Sequence, residues 1–168
     1  QKKWYDHWKI TRLNWHLSLG MGEENYRFHD HEKLAHYADA ACDIEFKFPF
    51  GFKELEGIHS RTDFDLGSHE KYAGKKLQYF DPERNESYTP YVLETSIGLD
   101  RMFLAVLSQS LQEEQLEDGN SRTVLRLPAV LAPTKVAVLP LVKKDGLVEL
   151  ARDLVADLKW DYSTAYDE

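Results

Sequence analysis

The sequence predicts an α+β protein in two parts: an antiparallel sheet with flanking helices, then the first β-α-β unit of a separate α/β domain. Up to residue 127, strand signals come in neighbouring pairs separated by turn residues, which is typical of antiparallel sheets. From Pro128 onward, an apolar strand, an amphipathic helix and a second strand follow one another, which is typical of a parallel unit. We therefore place a domain boundary between residues 127 and 128.

The first sixty residues contain helix and strand signals in turn. Apolar residues at three- and four-residue steps predict a helix over 4–18, and Asp30 is expected to cap a short helix from His31 to His36. In CDIEFKFPFG, residues 42–51, apolar and polar residues alternate, which predicts a half-buried strand. The next segment, KELEGIHS, is its expected partner.

The rest of the first part is expected to begin with a polar loop over 61–75, in which Gly67 and Gly74 act as breakers. LQYF, DPERNES and YTPYVLETS predict strand, turn and strand, and a helix over 98–112 follows. EEQLEDGNSR is expected to form an exposed linker or hairpin. After the boundary, TKVAVLPLV predicts a strand, DGLVELARDLVADLKW an amphipathic helix and DYSTAY a further strand.

Composition limits the classes of function. The chain has 168 residues, of which 42% are hydrophobic and 30% charged, as in globular proteins. No apolar run approaches the ~20 residues that span a bilayer, and the N-terminus lacks an apolar signal core. The net charge of -8 argues against a dominant phosphate-binding surface but leaves room for a local basic groove. Cys42 is the only cysteine, which fits a reducing cytoplasm.

The two ends of the sequence predict a piece of a longer protein. The chain begins within a helical pattern without an initiator methionine, and it stops just after a new strand signal begins. Neither end coincides with a predicted domain boundary.

Residues 92–107, VLETSIGLDRMFLAVL, place polar side chains where a strand becomes a helix. Alternation puts Glu94 and Ser96 on one face of the strand, where they could hold an ammonium group. Gly98 would let a flat ligand approach the backbone, and Arg101 offers a planar fork for phosphate at the start of the helix. The alternative is a surface ion pair with a helix cap.

Two neighbouring stretches add charged groups. Alternation places Glu54 and Glu56 on one strand face, where paired carboxylates could hold Mg²⁺ over a triphosphate; the alternative is a solvated acidic edge. Arg61 is flanked by Asp63 and Asp65, which predicts a positioned guanidinium, whether functional or structural.

Two other sets of residues favour structural roles. His29, His31 and His36 could meet at a metal, but the chain has one cysteine and no second ligand pair with zinc-like spacing, so capping and surface roles are favoured. The four tryptophans, three of them in the first helix, are expected to pack in the core or at an interface rather than stack on bases.

Three stretches in order, FPFGFKELEGIHSRTDFDLGSH, YTPYVLETSIGLDRMFLAVL and LAPTKVAVLPLVKK, resemble the bacterial-type dimeric glycyl-tRNA synthetases, a class II aminoacyl-tRNA synthetase family. The resemblance covers nearly the whole chain. It implies that residues 1–127 are the C-terminal part of the catalytic domain and that 128–168 begin the anticodon-binding domain. It also implies that elements upstream complete the active site, so this chain is expected to be inactive alone.

The resemblance also implies roles for individual residues. Arg101 is the catalytic residue, on the ATP phosphates. The ATP-binding set is Glu54, Leu55, Gly98, Leu99, Asp100 and Arg101, with Glu54 as a candidate Mg²⁺ ligand. The glycine-binding set is Glu94, Thr95, Ser96, Ile97, Gly98 and Arg61. Thr95 stands where the family commonly has proline, and it is expected to face away from Glu94.

The implied activity is ATP-dependent activation of glycine and its transfer to tRNA(Gly), with ATP and Mg²⁺ as cofactors, no zinc, no membrane and a homodimer in the intact protein. Two alternatives stay open. One is a sister synthetase for proline, threonine, histidine or serine, whose pockets need side chains other than those near Glu94 and Arg61. The other is a synthetase-like accessory protein that binds nucleic acid without catalysis and would lose the nucleotide-contacting residues, which are present here.

Overall fold

The computed structural model describes all residues, 1–168, as two compact units, Gln1–Arg126 and Leu127–Glu168. The helices are α1 (Lys2–Ser18), α2 (Phe64–Ala73), α3 (Leu99–Ser110) and α4 (Leu147–Leu158). The strands are β1 (Tyr26–Asp30), β2 (Ala40–Phe48), β3 (Gly51–Ser60), β4 (Tyr79–Asp81), β5 (Glu86–Tyr88), β6 (Leu93–Ile97), β7 (Leu111–Gln115), β8 (Ser121–Leu125), β9 (Val136–Val138) and β10 (Thr164–Tyr166). No helix is long and apolar enough to cross a membrane.

The first unit is built on a four-stranded sheet in the order β1-β2-β3-β6, with every pair antiparallel, which confirms the predicted α+β class. The core lies on one face of this sheet. Alternate residues of β2 point into it and pack with residues of α1 and α3. The buried cluster consists of Tyr5, Leu19, Met21, Tyr26, Cys42, Ile44, Phe46, Phe48, Leu55, Ile58 and Ala105. Burial of these alternate residues fixes the register of the sheet.

A β-bulge interrupts the pairing of β2 with β3. Ile44 lies opposite Glu56, but the next residue, Glu45, lies opposite Glu54, so Leu55 has no partner. The extra residue shifts the alternation of β3 by one position. Glu54 therefore lies on the opposite face of the sheet from Glu56, and the prediction that they share a face is wrong.

Two predicted local elements also differ. Residues 31–36 form no helix, because Asp30 ends strand β1 and its carboxylate accepts a hydrogen bond from Lys9 Nζ (2.7 Å) instead of capping a helix. The predicted loop over 61–75 contains helix α2. Gly67 is tolerated inside this helix, and Gly74 ends it with φ 63°, a left-handed conformation that glycine adopts without strain.

The predicted strand YTPYVLETS is divided in the structure. Strand β5 ends at Tyr88 and β6 begins at Leu93, with Pro90 between them. Proline has no backbone N–H for a sheet and is disfavoured within a strand. The exposed hairpin predicted after α3 is confirmed as β7 and β8, which pair antiparallel.

The tryptophans of α1 do not pack in the core. Trp4, Trp8 and Trp15 are 39–58% exposed, so the prediction of core packing is wrong for them, and interface packing stays a prediction. The helix instead buries Tyr5 and His16 and packs Leu13 and Leu17 against the core. Trp160 is also exposed.

The second unit is a β-α-β arrangement. Strands β9 and β10 pair parallel, with α4 between them in the chain, as the sequence predicts. Strand β9 is shorter than predicted and ends two residues before Pro140. The assignment of this unit as the start of an anticodon-binding domain stays a prediction.

Ala105→Leu is expected to lower the free energy of unfolding by about 1–3 kcal/mol, because Ala105 is fully buried where α3 meets the core and the added atoms overpack it. Urea unfolding followed by circular dichroism measures the change. The matched control is Ala156→Leu, the same substitution at an exposed position of α4, with an expected change within about 0.5 kcal/mol. Equal stability of both variants would contradict the close packing of α3.

Candidate active site

The face of the sheet opposite the core carries polar side chains. In the antiparallel register, Glu94 lies opposite His59, and Ser96 lies opposite Gly57. Residues directly opposite each other share a face, so Glu94 and Ser96 are neighbours on it, as predicted. Thr95 lies opposite Ile58, which is buried in the core, so the expectation that Thr95 faces away from Glu94 is confirmed.

Arg61 is held by two carboxylates at the end of β3. Its Nε and Nη2 atoms donate to Asp65 Oδ2 and Oδ1 at 2.6 and 2.9 Å, and its Nη1 donates to Glu94 Oε2 at 2.8 Å. The ring of Tyr37 covers the guanidinium at 4.1 Å from the ring centroid. The predicted positioned guanidinium is therefore confirmed, and Asp65 together with Glu94 positions it.

Arg61, Asp65 and Glu94 together carry one excess negative charge. The hydrogen bonds to Asp65, and then those to Glu94, raise the pKa of Arg61, while the Arg61 guanidinium holds the pKa of Asp65 below its ordinary value. Both carboxylates are thus paired with one cation. Glu94 Oε1 receives no hydrogen bond from the chain, so it is free to accept one from an ammonium group.

A second group forms where α3 begins. Arg101 Nη1 donates to the backbone oxygen and to the Oε2 atom of Glu54, both at 2.9 Å. Both side chains are about half exposed. They line a cavity of about 300 Å³ whose other walls are Phe48, Phe50, Lys53 and Leu104. Exposed donors beside an aromatic surface suit a nucleotide, since phosphates meet the cations and a base meets the rings.

The remaining predicted ATP residues differ in exposure. Leu99 is 81% exposed, and Asp100 is exposed in the first turn of α3. Gly98 is the helix N-cap and has a φ of -80°, which any residue adopts. Leu55 is 1% exposed and packs in the core, so only its backbone could meet ATP. Ile97 is 38% exposed and faces away from Ser96.

Glu56 has a structural environment instead of a metal site. It is 1% exposed and binds Arg12 and His16 of α1, so the predicted pair of carboxylates over a triphosphate does not form. No three His, Cys, Asp or Glu side chains converge in a geometry for a metal ion. Glu54 is half exposed, so its carboxylate remains accessible to a ligand.

The three histidines considered for a metal do not converge. The rings of His29 and His31 lie 5.9 Å apart, and His31 Nε2 is bonded to Asp43 Oδ2 at 2.8 Å. His36 packs instead on Phe64 of α2, with ring centroids 5.1 Å apart. His31 and His36 thus make contacts within the chain, and neither caps a helix.

Sequence reasoning missed four residues next to the predicted site: Tyr37, Asp43, Gly57 and His59. Gly57 and His59 could have been found, because both lie on β3 and alternation places them on one face. Tyr37 comes from a loop with no periodic signal. Asp43 could be placed only once the register of β2 with β3 was known.

A larger cavity, of about 750 Å³, lies elsewhere in the first unit. Its lining residues are Gln1, Trp4, Asp63, Tyr88, Thr89, Pro90, Tyr91 and Leu93, and it contains none of the predicted site residues. Size alone therefore does not identify the site, and the grouping of charged side chains on β3, β6 and α3 is the better guide.

Comparisons with known proteins find similar sequences over nearly the whole chain. The chain is 50% identical over 165 residues to a glycine–tRNA ligase of Chlorobaculum tepidum, which covers 98% of this chain and 35% of the relative. The ligase of Bacillus cereus is 51% identical over 168 residues, which cover 99% of this chain and 36% of the relative. That of Borrelia hermsii is 49% identical over 170 residues, which cover 98% of this chain and 38% of the relative. No family model matches the chain.

Among solved structures, the fold is similar to prolyl-tRNA synthetase of Giardia lamblia in complex with prolyl-adenylate, with a TM-score of 0.52 and 17% sequence identity. The match covers 95% of this chain and 32% of the other. The fold is thus similar to that of a class II aminoacyl-tRNA synthetase. In sequence, the chain is similar over nearly its whole length to the glycine–tRNA ligases. It spans about a third of the length of those relatives.

Proposed function

We propose that the protein containing this chain is a glycine–tRNA ligase, which activates glycine with ATP and transfers it to tRNA(Gly). The observation that carries the proposal is the placement of Glu94, Ser96 and Arg61 on the sheet face that also carries Glu54, the partner of Arg101. Gly57 lies three positions after Glu54 along β3, or roughly 10 Å. An amino-acid site and a nucleotide site thus lie side by side.

The first step joins glycine to AMP. The glycine carboxylate attacks the α-phosphorus of ATP, the bond to the β-phosphate breaks, and pyrophosphate leaves with that electron pair. Glu94 Oε1 and the Ser96 hydroxyl hold the glycine ammonium, while Arg101 binds phosphate oxygens. In the second step, a ribose hydroxyl of the tRNA attacks the carbonyl of glycyl-adenylate, and AMP leaves.

The net negative charge of Arg61, Asp65 and Glu94 favours a cationic ligand. Asp65 and Glu94 together outweigh Arg61 by one negative charge, so an ammonium group is attracted. Glycine has no side chain to bind, and selection must come from charge contacts and exclusion of larger residues. Mg²⁺ would neutralise the triphosphate, with Glu54 as its protein ligand. A homodimer and a cytoplasmic location for the intact protein stay predictions.

Amino-acid-dependent exchange between ATP and pyrophosphate tests the proposal. The intact gene product is assayed with glycine, alanine, serine, proline and threonine in separate reactions. We expect exchange with glycine alone. Exchange with proline, threonine or serine would identify a sister synthetase, and exchange with none of the five would favour the accessory protein that binds nucleic acid.

The 168-residue chain alone is expected to show no exchange, because the resemblance places the arginine that holds the α-phosphate outside it. The same assay run on this chain at equal concentration measures the residual rate. Sustained turnover would show that the present residues suffice for activation.

A further inference from the structure

We propose that His59 and Gly57 determine amino-acid specificity, with the imidazole of His59 filling the space beside Glu94 and Ser96 that a larger substrate side chain would need. The inference rests on the proposed function and names a residue pair to which the resemblance gives no role. It is carried by the packing of the ring on the sheet face of the site.

The register places this pair directly against the proposed glycine ligands. His59 lies opposite Glu94, and Gly57 lies opposite Ser96. Side chains opposite each other in an antiparallel pair have Cβ atoms about 4.5–5.5 Å apart. The two strands thus form a small square of residues on one face, with two proposed ammonium ligands on β6 and the histidine and glycine on β3.

The ring of His59 folds over Gly57. A Cβ atom added to Gly57 would lie 2.7 Å from His59 Cε1 and 3.4 Å from His59 Nδ1. Gly57 does not have a positive φ, so its backbone conformation does not require glycine. What requires glycine here is the space that the ring occupies.

The ring of His59 packs on His31, but its Nδ1 atom lacks a hydrogen-bond partner. It meets the ring of His31 edge to face, with centroids 6.1 Å apart, and His31 is fixed by Asp43. His59 Nδ1 is buried without a hydrogen-bond partner in the chain. A buried ring nitrogen without a partner carries a desolvation cost, so the ring is kept in place by packing rather than by a hydrogen bond from Nδ1. Packing on Gly57 and His31 thus positions the ring on the sheet face of the site.

The consequence is a volume limit on the substrate. With the ring in place, the ammonium site at Glu94 and Ser96 is bounded on the β3 side, and a methyl group on the substrate α-carbon would meet the imidazole. One added methylene in a restricted pocket changes discrimination by roughly 10–200-fold. The ring therefore acts as a wall that admits glycine.

Three variants of the intact protein test the proposal through KM and kcat for ATP–pyrophosphate exchange with glycine and with alanine. His59→Ala is expected to lower the preference for glycine over alanine by about 10-fold or more. Gly57→Ala displaces the ring of His59 and is expected to raise KM for glycine about 10-fold or more. The double variant removes the clash, so its KM for glycine is expected to return toward that of the wild type.

The matched control is His7→Ala, which removes an exposed histidine of α1 and is expected to leave both KM values unchanged. Rescue in the double variant separates a steric wall from general damage, because a merely destabilising change would not be reversed by a second truncation. Circular dichroism confirms that each variant is folded.

The outcomes separate this inference from the proposed function. An active wild type whose His59→Ala variant discriminates as before, or a double variant no better than Gly57→Ala, would overturn the role of the pair alone. An intact wild type without glycine-dependent exchange would overturn the proposed function and this inference with it.

Discussion

Replacing Glu56 by alanine is expected to lower the free energy of unfolding by about 3–5 kcal/mol, because it leaves buried partners without a counter-charge. Glu56 accepts hydrogen bonds from Arg12 Nε (2.5 Å), Arg12 Nη2 (3.1 Å) and His16 Nε2 (2.7 Å). Glu56 and His16 are almost fully buried, and Arg12 is mostly covered. These bonds tie α1 to β3 inside the core.

Urea unfolding of the chain, followed by tryptophan fluorescence, measures this loss. Arg12 stacks on Trp15 at 4.6 Å from the ring centroid, so the fluorescence of α1 reports on the same contact. The matched control is Glu54→Ala on the same strand, which removes a half-exposed ion pair and is expected to cost about 0–1 kcal/mol. Similar losses in both variants would contradict the different environments of the two glutamates.

The stabilisation by Glu56 also depends on pH. Burial by itself raises the pKa of Glu56, but the hydrogen bonds from His16 and Arg12 outweigh burial and hold its pKa below the ordinary value. A lowered pKa in the folded state favours folding above the unfolded-state pKa of about 4.3. This contribution is lost as pH falls through the folded-state pKa, and the difference between wild type and Glu56→Gln is expected to narrow there.

The two glutamates show where sequence reasoning fails. KELEG suggests two carboxylates on one face, because alternation is assumed to be unbroken. The bulge at Leu55 moves Glu54 to the polar face and leaves Glu56 in the core. A bulge depends on how two strands pair, and the register of β2 with β3 cannot be read from either strand alone.

Local patterns, by contrast, predicted the elements in which apolar and polar residues recur at a regular spacing. The apolar face of α4 and the alternation around Glu94 and Ser96 need only neighbouring residues in the chain. The contact of Arg61 with Glu94 joins residues 33 positions apart, and the ring of Tyr37 reaches Arg61 from a loop. Such contacts follow from the topology of the sheet, so the sequence predicted the residues of the site better than their partners.

Arg101→Ala in the intact protein is expected to reduce glycine-dependent ATP–pyrophosphate exchange by roughly 10²–10³-fold, as expected for the loss of one positioned donor to a developing charge. Arg101 is presented at the start of α3, and its Nη1 atom is held by Glu54. The guanidinium is therefore oriented before a phosphate arrives. Its other nitrogen atoms remain available for phosphate oxygens.

Lysine at position 101 would keep the charge but lose the planar fork, so Arg101→Lys is expected to recover only part of the rate. The matched control is Arg122→Ala, which removes an exposed arginine of β8 that binds Glu114 and is expected to leave exchange unchanged. Steady-state exchange at varied ATP and glycine separates the two substrates. Full activity of Arg101→Ala would contradict the phosphate role, and a loss confined to KM for glycine would place Arg101 in the amino-acid site instead.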